Sequence, residues 1–440
     1  MLAELATAPA EEGVTAAFNR EAVEARSEHE PAWLQERRLE AWDIYASTPV
    51  PSTRSEEWRY TDPRLLAWDK VAFPGPAAPG VPADAQAILT DKIASGTVVQ
   101  YGTSTLEVTL DDGLRAKGVI LTDLATAAIE HRALVKEHLG TRALLPGAGK
   151  FAALNSALWS GGVFLYVPRG VRLDRPVRVV RYVDRPGAYM PRTLIVTGDG
   201  SHAAIVEQFA SPDFEHPVFC NGAVEIHAGP ASETQYVALQ QWGRGVRHLS
   251  TQRTVAQRDA SLDTLVVNLG ATVARVDLGA SLEGPGARSD MLGLYFGRAD
   301  QHFDHETRQD HKVPHASSDL LYKGALTDRS TAVFRGLIKV WKNAQRTDAY
   351  QTNRNLLLSR HARATSLPNL EIEADDVRCS HAATVGHLDA EELFYIMSRG
   401  IARSEAERLV VFGFFGDVLD KLPLPDVVRE LRAAIEKRIG

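Results

Sequence analysis

Val177-Arg-Val-Val-Arg-Tyr-Val183, Thr193-Leu-Ile-Val-Thr197, Ala204-Ile-Val-Glu-Gln-Phe209, Ala223-Val-Glu-Ile-His227, Gln235-Tyr-Val-Ala-Leu239 and Thr264-Leu-Val-Val-Asn-Leu269 follow one another along the chain, with Gly, Asp, Asn or Pro between them. Each run is short and rich in β-branched or aromatic residues, which is the composition of a strand bounded by turns. Thr97–Tyr101, Thr105–Leu110 and Val163–Val167 carry the same texture upstream. Many strands with few helices between them leave three architectures: a sandwich, a barrel or a parallel β-helix. A region running from about residue 96 to 378 is long for one sandwich, whereas a solenoid tolerates that length and irregular turns. No strict repeat period is visible, so the pattern alone leans toward the β-helix without fixing it.

The flanks read differently. Trp33, Leu34, Leu39, Trp42 and Ile44 are spaced among charges between Pro31 and Ser47, which predicts an amphipathic helix stopped by Pro49 and Pro51. Residues 1–71 are therefore expected to form an N-terminal helical region, and the Pro/Gly/Ala-rich 72–95 a linker. The strand region is interrupted once, at 122–158, by a helical pattern. After it ends near 387, Asp389-Ala-Glu-Glu392 and Ser404-Glu-Ala-Glu407 both resemble capping boxes, and Pro425–Arg438 has apolar residues at helical spacing. Residues 388–440 are expected to be a C-terminal helical domain.

The chain has 440 residues, 44% of them hydrophobic and 24% charged, with a net charge of −7. That balance gives no basic excess for phosphates and argues against nucleic-acid binding. Two cysteines cannot build a disulfide framework, no apolar run reaches membrane-spanning length, and the N-terminus lacks a secretory pattern. A cytoplasmic protein away from membranes is expected.

Glu371-Ile-Glu-Ala-Asp-Asp-Val-Arg-Cys-Ser-His381 holds the most pointed chemistry. On a strand, Cys379 and His381 face the same side, and thiolate and imidazole together suit a soft or borderline metal. Two ligands do not close a site, so any others come from elsewhere or from another chain. The preceding carboxylates are expected to raise the pKa of the histidine and to oppose the thiolate. A buried cysteine beside a hydrogen-bonded histidine is the bland alternative. His302, His305, His311 and His315 form a second group. His302-x-x-His305 could share a helix face, and so could His311-x-x-x-His315 but for Pro314; hydrogen-bonded loop or strand histidines are the simpler reading, a role at an interface or as transient ligands is the sharper one, and no H-E-x-x-H pattern is present. Pro146-Gly-Ala-Gly-Lys150 resembles a phosphate loop but has Leu144 and Phe151 where Gly and Ser or Thr are required, so nucleotide binding there is rejected. In the polar block 342–359, Asn353 and Asn355 share strand parity and suit a structural ladder, with a subunit interface as the alternative.

Ser318-Asp-Leu-Leu-Tyr-Lys-Gly-Ala-Leu326, Ala344-Gln-Arg-Thr-Asp-Ala349, Asn353-Arg-Asn-Leu-Leu-Leu-Ser359, the acidic run to His381 and Leu393-Phe-Tyr-Ile-Met-Ser-Arg-Gly400 stand in order. Together they resemble the SufB/SufD family of iron–sulfur cluster assembly proteins, densely over about 300–420 and more weakly before. Glu57-Trp-Arg-Tyr-Thr61 matches the SufD-type pattern, and Cys379-Ser380-His381 stands where SufB-type chains carry a Glu-His-Glu type sequence. The resemblance implies a right-handed parallel β-helix flanked by helical regions. It also implies a non-catalytic scaffold role, with a SufB-like subunit at the β-helix end and a SufC-like ATPase at the C-terminal helices. His381 is then the candidate ligand of a transient iron–sulfur cluster shared with the partner chain, Cys379 its less secure companion, and no cofactor is held permanently.

An uncovered solenoid end invites self-pairing, so a homodimer of the lone chain is open to it. Leu393, Phe394, Leu409, Phe412, Phe414 and Phe415 exceed what a small helical unit needs to bury, and some are expected to dock the ATPase; packing on the β-helix is the equal alternative. Two other functions stay in view: an adaptor that touches no metal, and a β-helix enzyme acting on polysaccharide. The second is weakened because adjacent Asp375 and Asp376 would face opposite sides of a strand.

Overall fold

The computed structural model describes residues 17–75, 80–89 and 93–439. Two helices come first, α1 (Arg20–Ser27) and α2 (Ala32–Ser47), then short 3-10 turns through Lys70. The stretch expected as linker contains a helix, α3 (Ala83–Leu89), whose Ala85 is buried against Tyr101, Val180 and Tyr182. Next come β1 (Gly96–Tyr101), β2 (Ser104–Leu110), α4 (Asp112–Ala116), β3 (Ile120–Asp123), α5 (Leu124–Glu130), α6 (Arg132–His138) and α7 (Lys150–Leu158). The strands continue as β4 (Gly162–Val167), β5 (Val177–Tyr182), β6 (Ala188–Tyr189), β7 (Arg192–Thr197), β8 (His202–Ala210), β9 (Val218–Ala228), β10 (Glu233–Gln241), β11 (Val246–Ala256) and β12 (Ser261–Asn268). The last are β13 (Val273–Leu282), β14 (Arg288–Gly297), β15 (His302–His311), β16 (Ser317–Leu326), β17 (Thr331–Val340), β18 (Asp348–Leu357), β19 (Arg363–Ile372) and β20 (Arg378–His387). Three helices close the chain: α8 (Ala390–Met397), α9 (Arg403–Leu419) and α10 (Pro425–Ile439).

From β7 on, successive strands alternate between two sheets, and each strand pairs in parallel with the next one of its own sheet. This is a two-sheet β-solenoid of about eight turns. The even-numbered strands run β8-β10-β12-β14-β16-β18-β20 and the odd-numbered strands β19-β17-β15-β13-β11-β9-β7. Antiparallel β2 and β3 close the first end of each sheet.

The coil length varies, which hides the repeat. Glu233 pairs with Ser261, Ser261 with Arg288, Arg288 with Ser317, Ser317 with Asp348 and Asp348 with Arg378, so no two of the first four offsets agree. What does recur is a backbone corner. Gly200, Ala231, Asp259, Gly286, His315 and Arg346 all have positive φ, and each lies two residues before an even-numbered strand. Side chains tolerate that conformation at a cost of about 1–2 kcal/mol, which the stacked coils on either side must hold in place. His315 is one of these corner residues.

Inward-facing residues of both sheets form one continuous core, including Tyr236, Leu262, Met291, Tyr295, Phe303, Leu320 and Phe334. The outer face of the even-numbered sheet is also apolar. Val237, Leu239, Leu265, Val267, Leu292, Leu294 and Phe296 pack under α9 and α10 through Val411, Phe415, Val418, Leu431 and Ile435. Burying each large apolar side chain there contributes about 1.5–3 kcal/mol, so the C-terminal helices are part of the solenoid's wall. Asp389 caps α8, accepting from the amides of Glu391 at 2.8 Å and Glu392 at 3.4 Å. The second capping box is not formed: α9 starts at Arg403 behind Ala402, before Ser404. Among the described residues no helix is long and apolar enough to cross a membrane.

Candidate functional site: the open end of the solenoid

β19 and β20 end their sheets, and among the described residues no strand pairs with their outer edges. Neither has a buried residue, β20 being largely exposed and β19 mostly half-buried, whereas the preceding β17 and β18 bury their alternate residues. The chain therefore leaves one coil of the solenoid uncovered. In a parallel ladder a residue's N–H and C=O point to the same side, and the side alternates along the strand. The Arg378 amide donates inward, to the Thr347 carbonyl at 2.9 Å. The backbone groups of Cys379, His381, Ala383 and Val385 thus face the free edge.

The same accounting separates the two edges. The Arg363 amide donates to the Ser330 carbonyl at 3.1 Å, which turns the even positions of β19 outward. Pro368 falls on that outward set, so its missing N–H costs no internal bond and interrupts the edge as a template for pairing. β20 has no proline and presents an unbroken row of donors and acceptors.

Cys379 and His381 do share a face. Their ladder partners one coil back are Ala349 and Gln351, both buried, so the two side chains belong to the row that points between the sheets. The end position makes them differ. Cys379 is half-buried against Ile338, Val340, Ala349 and Ala374, whereas His381 is exposed. Burial, and secondarily the Asp348 carboxylate, raise the Cys379 thiol pKa. The acidic run is not what acts on it. Lys339 holds Glu371 at 3.1 Å and Glu373 at 2.6 Å, and Asp376 faces Arg346 at 3.5 Å. The exposed imidazole is thus the more accessible of the two donors. Among the described residues no three His, Cys, Asp or Glu side chains converge into a ready metal cage.

The other sequence candidates fall elsewhere. His302, His305 and His311 lie on β15, and strand parity sends His302 to the opposite face from the other two. A helix face shared by His302 and His305 is therefore ruled out, because that segment is extended. His302 Nε2 lies 2.8 Å from Thr61 Oγ1, so the Glu57–Thr61 motif docks on the outer face of the odd-numbered sheet, with Trp58 stacked 4.2 Å from the Arg275 guanidinium. His305 stacks on Tyr295 with centroids 4.5 Å apart and bonds Asn268 at 2.8 Å; His311 bonds Ser318 Oγ at 2.8 Å. Asn353 and Asn355 are buried and bonded to each other at 2.8 Å, in the structural role their parity suggests. Lys150 donates to the carbonyls of Tyr45 at 2.9 Å and Thr48 at 2.6 Å, tying down the end of α2. Asp375 and Asp376 lie in the turn before β20.

The C-terminal apolar set divides. Leu393 and Phe415 are buried, and Phe412 and Phe414 pack against the solenoid wall. Phe394 and Leu409 are 74% and 45% exposed, and Tyr395 beside them is exposed as well. Only the exposed ones are free for a partner.

Residues 181–414 match the family description "SUF system FeS cluster assembly, SufBD core domain", and residues 14–179 match "SufBD protein N-terminal region". The iron–sulfur cluster assembly protein SufD of Bacillus subtilis is 32% identical over 427 residues, covering 93% of this chain and 95% of its own. A SufBD family protein of Staphylococcus haemolyticus is 28% identical, covering 98% of this chain and 95% of its own. SufB of B. subtilis is 27% identical, covering 94% and 92%.

Proposed function

Because this chain belongs to the SufBD family of the SUF iron–sulfur cluster assembly system, we propose that it is a SufD-like, non-catalytic scaffold subunit acting in the cytoplasm. It pairs with a SufB-like subunit through β20 and carries a SufC-like ATPase on its C-terminal helices. The free edge of β20 is the observation that supports this reading most. An extended edge with no proline is a template for strand addition, in which main-chain bonds give affinity and alternate side chains give specificity.

A strand added there would lie about 4.8 Å away. It would continue the inward row, setting a partner's side chain directly beside His381. The nascent cluster is cargo in this scheme, held at the seam by His381 together with donors from the partner. Imidazole binds iron less permanently than a full set of thiolates, as a scaffold that must release its cargo requires. The burial of Cys379 makes it the secondary donor. The half-buried thiol and the lack of a third converging donor also suit an adaptor that touches no metal, so the two readings need separating. Reconstituting the chain with its SufB-like and SufC-like partners, and measuring bound iron and sulfide against the same complex carrying His381→Ala, separates them. A drop in both with the complex intact supports the ligand role, and unchanged content leaves the adaptor.

A further inference from the structure

A second pair of donors lies far along the chain from His381, on the flank of the odd-numbered sheet. His138, the last residue of α6, packs edge-to-face against His227 of β9, with ring centroids 4.8 Å apart and planes at 77°. The two rings line a cleft of about 290 Å³ with Glu137, Arg142, Thr197 and Gln257.

The protonation of His138 follows from its partner. Its Nδ1 lies 2.9 Å from the Leu134 carbonyl, which can only accept. Nδ1 therefore carries the proton and Nε2 the lone pair. An imidazole fixed through Nδ1–H to a backbone carbonyl, with Nε2 free, has the hydrogen-bonding pattern of a metal-ligating histidine. His227 is only 8% exposed, and its Nε2 is buried without a hydrogen-bond partner. Such an atom is costly to leave unsatisfied. Ring packing alone explains the close contact and leaves that atom unexplained.

Of the charged side chains lining the cleft, Glu137 is exposed and Arg142 is already engaged. Arg142 is held by Glu283, its Nε at 2.7 Å, and Glu283 also takes Lys312 at 2.8 Å. An Nε2 that presents a lone pair, as that of His138 does, cannot donate to an anion, so an anionic ligand does not suit it. We propose that His138 and His227 form a two-imidazole site for a divalent first-row transition ion of the Zn²⁺ class, with water completing its coordination. Such an ion would sit about 2.0–2.1 Å from each Nε2. Two protein ligands make such a site open and exchangeable.

The test uses the full chain carrying Cys379→Ser and His381→Ala, so that the solenoid end contributes no donors, equilibrated with Zn²⁺ and assayed for bound metal. Adding His227→Gln or His138→Gln is expected to remove about one equivalent, or to weaken its binding about tenfold or more. His138 is half-buried at a helix end, so its variant tests the site even if His227→Gln fails to fold; circular dichroism checks both. Zn²⁺ content and affinity unchanged in a folded His138→Gln variant would overturn the proposal.

Discussion

His381 lies directly above Gln351 in the parallel ladder between β18 and β20, and the two differ by one layer of burial: Gln351 is sealed inside the solenoid and His381 is open to solvent. The same inward row thus passes from buried interior to open surface in a single coil. The change comes from where the chain stops stacking.

Ala383→Pro tests the free edge. The Ala383 amide faces outward, so proline there removes no internal ladder bond. The isolated chain should melt within about 2–4 °C of wild type, the shift that roughly 1 kcal/mol produces in a chain of this size or smaller. Co-purification with the SufB-like subunit should be lost. Retained pairing would show that the partner binds elsewhere.

The C-terminal helices predict two opposite outcomes. Phe415→Ala empties a fully buried position against the solenoid wall and should cost about 3–5 kcal/mol in a denaturant titration. Phe394→Ser with Leu409→Ser changes exposed positions and should alter stability by no more than about 0.5 kcal/mol each, while abolishing capture of the SufC-like ATPase. Deleting residues 388–440 is a poorer probe, because it also strips the cover from Leu265, Leu292 and Phe296.

The polar interior should be sensitive to single atoms. Tyr295 Oη donates to Asn355 and receives from Asn353 at 3.3 Å, all buried. Tyr295→Phe keeps the ring stacked on His305 but strands an amide oxygen, at a cost of about 1–3 kcal/mol. Equal stability of wild type and variant in urea would show that the network carries no weight.

Acid should loosen the core over a defined window. Burial holds His305 and His311 down at about 4, and His248 at about 3. A free imidazole protonates near 6.5, so below about that pH the unfolded chain binds protons that the folded chain refuses. Stability contributed by these groups is full above about pH 6.5 and falls as pH drops toward about 4. The urea midpoint should follow that course, and His305→Gln should flatten it; a midpoint indifferent to pH across the window would contradict the burial assigned to these rings.

Much of this was legible in the residues. All nine of the strand runs named from composition are strands, because β-branched runs with turn residues between them state their conformation locally. The coil period was hidden because its recurring feature is a backbone angle carried by Gly, Ala, Asp, Gly, His and Arg in turn. The favoured reading of His302, His305 and His311 as hydrogen-bonded strand histidines holds, while the helix face open to His302 and His305 does not, since three-residue spacing means one face on a helix and opposite faces on a strand. The shared face of Cys379 and His381 could be read from their spacing, but their unequal burial depends on where the solenoid ends. The pair His138 and His227 had no local signal at all: a helix end and a strand far apart in sequence bring it together.

The central claim, that an exposed imidazole at a strand-pairing seam helps to hold the cluster, meets its most direct measurement in the assembled complex. Iron and sulfide per complex should fall sharply in His381→Ala and much less in Cys379→Ser, with subunit stoichiometry unchanged in both. Full iron and sulfide in an intact His381→Ala complex would contradict it.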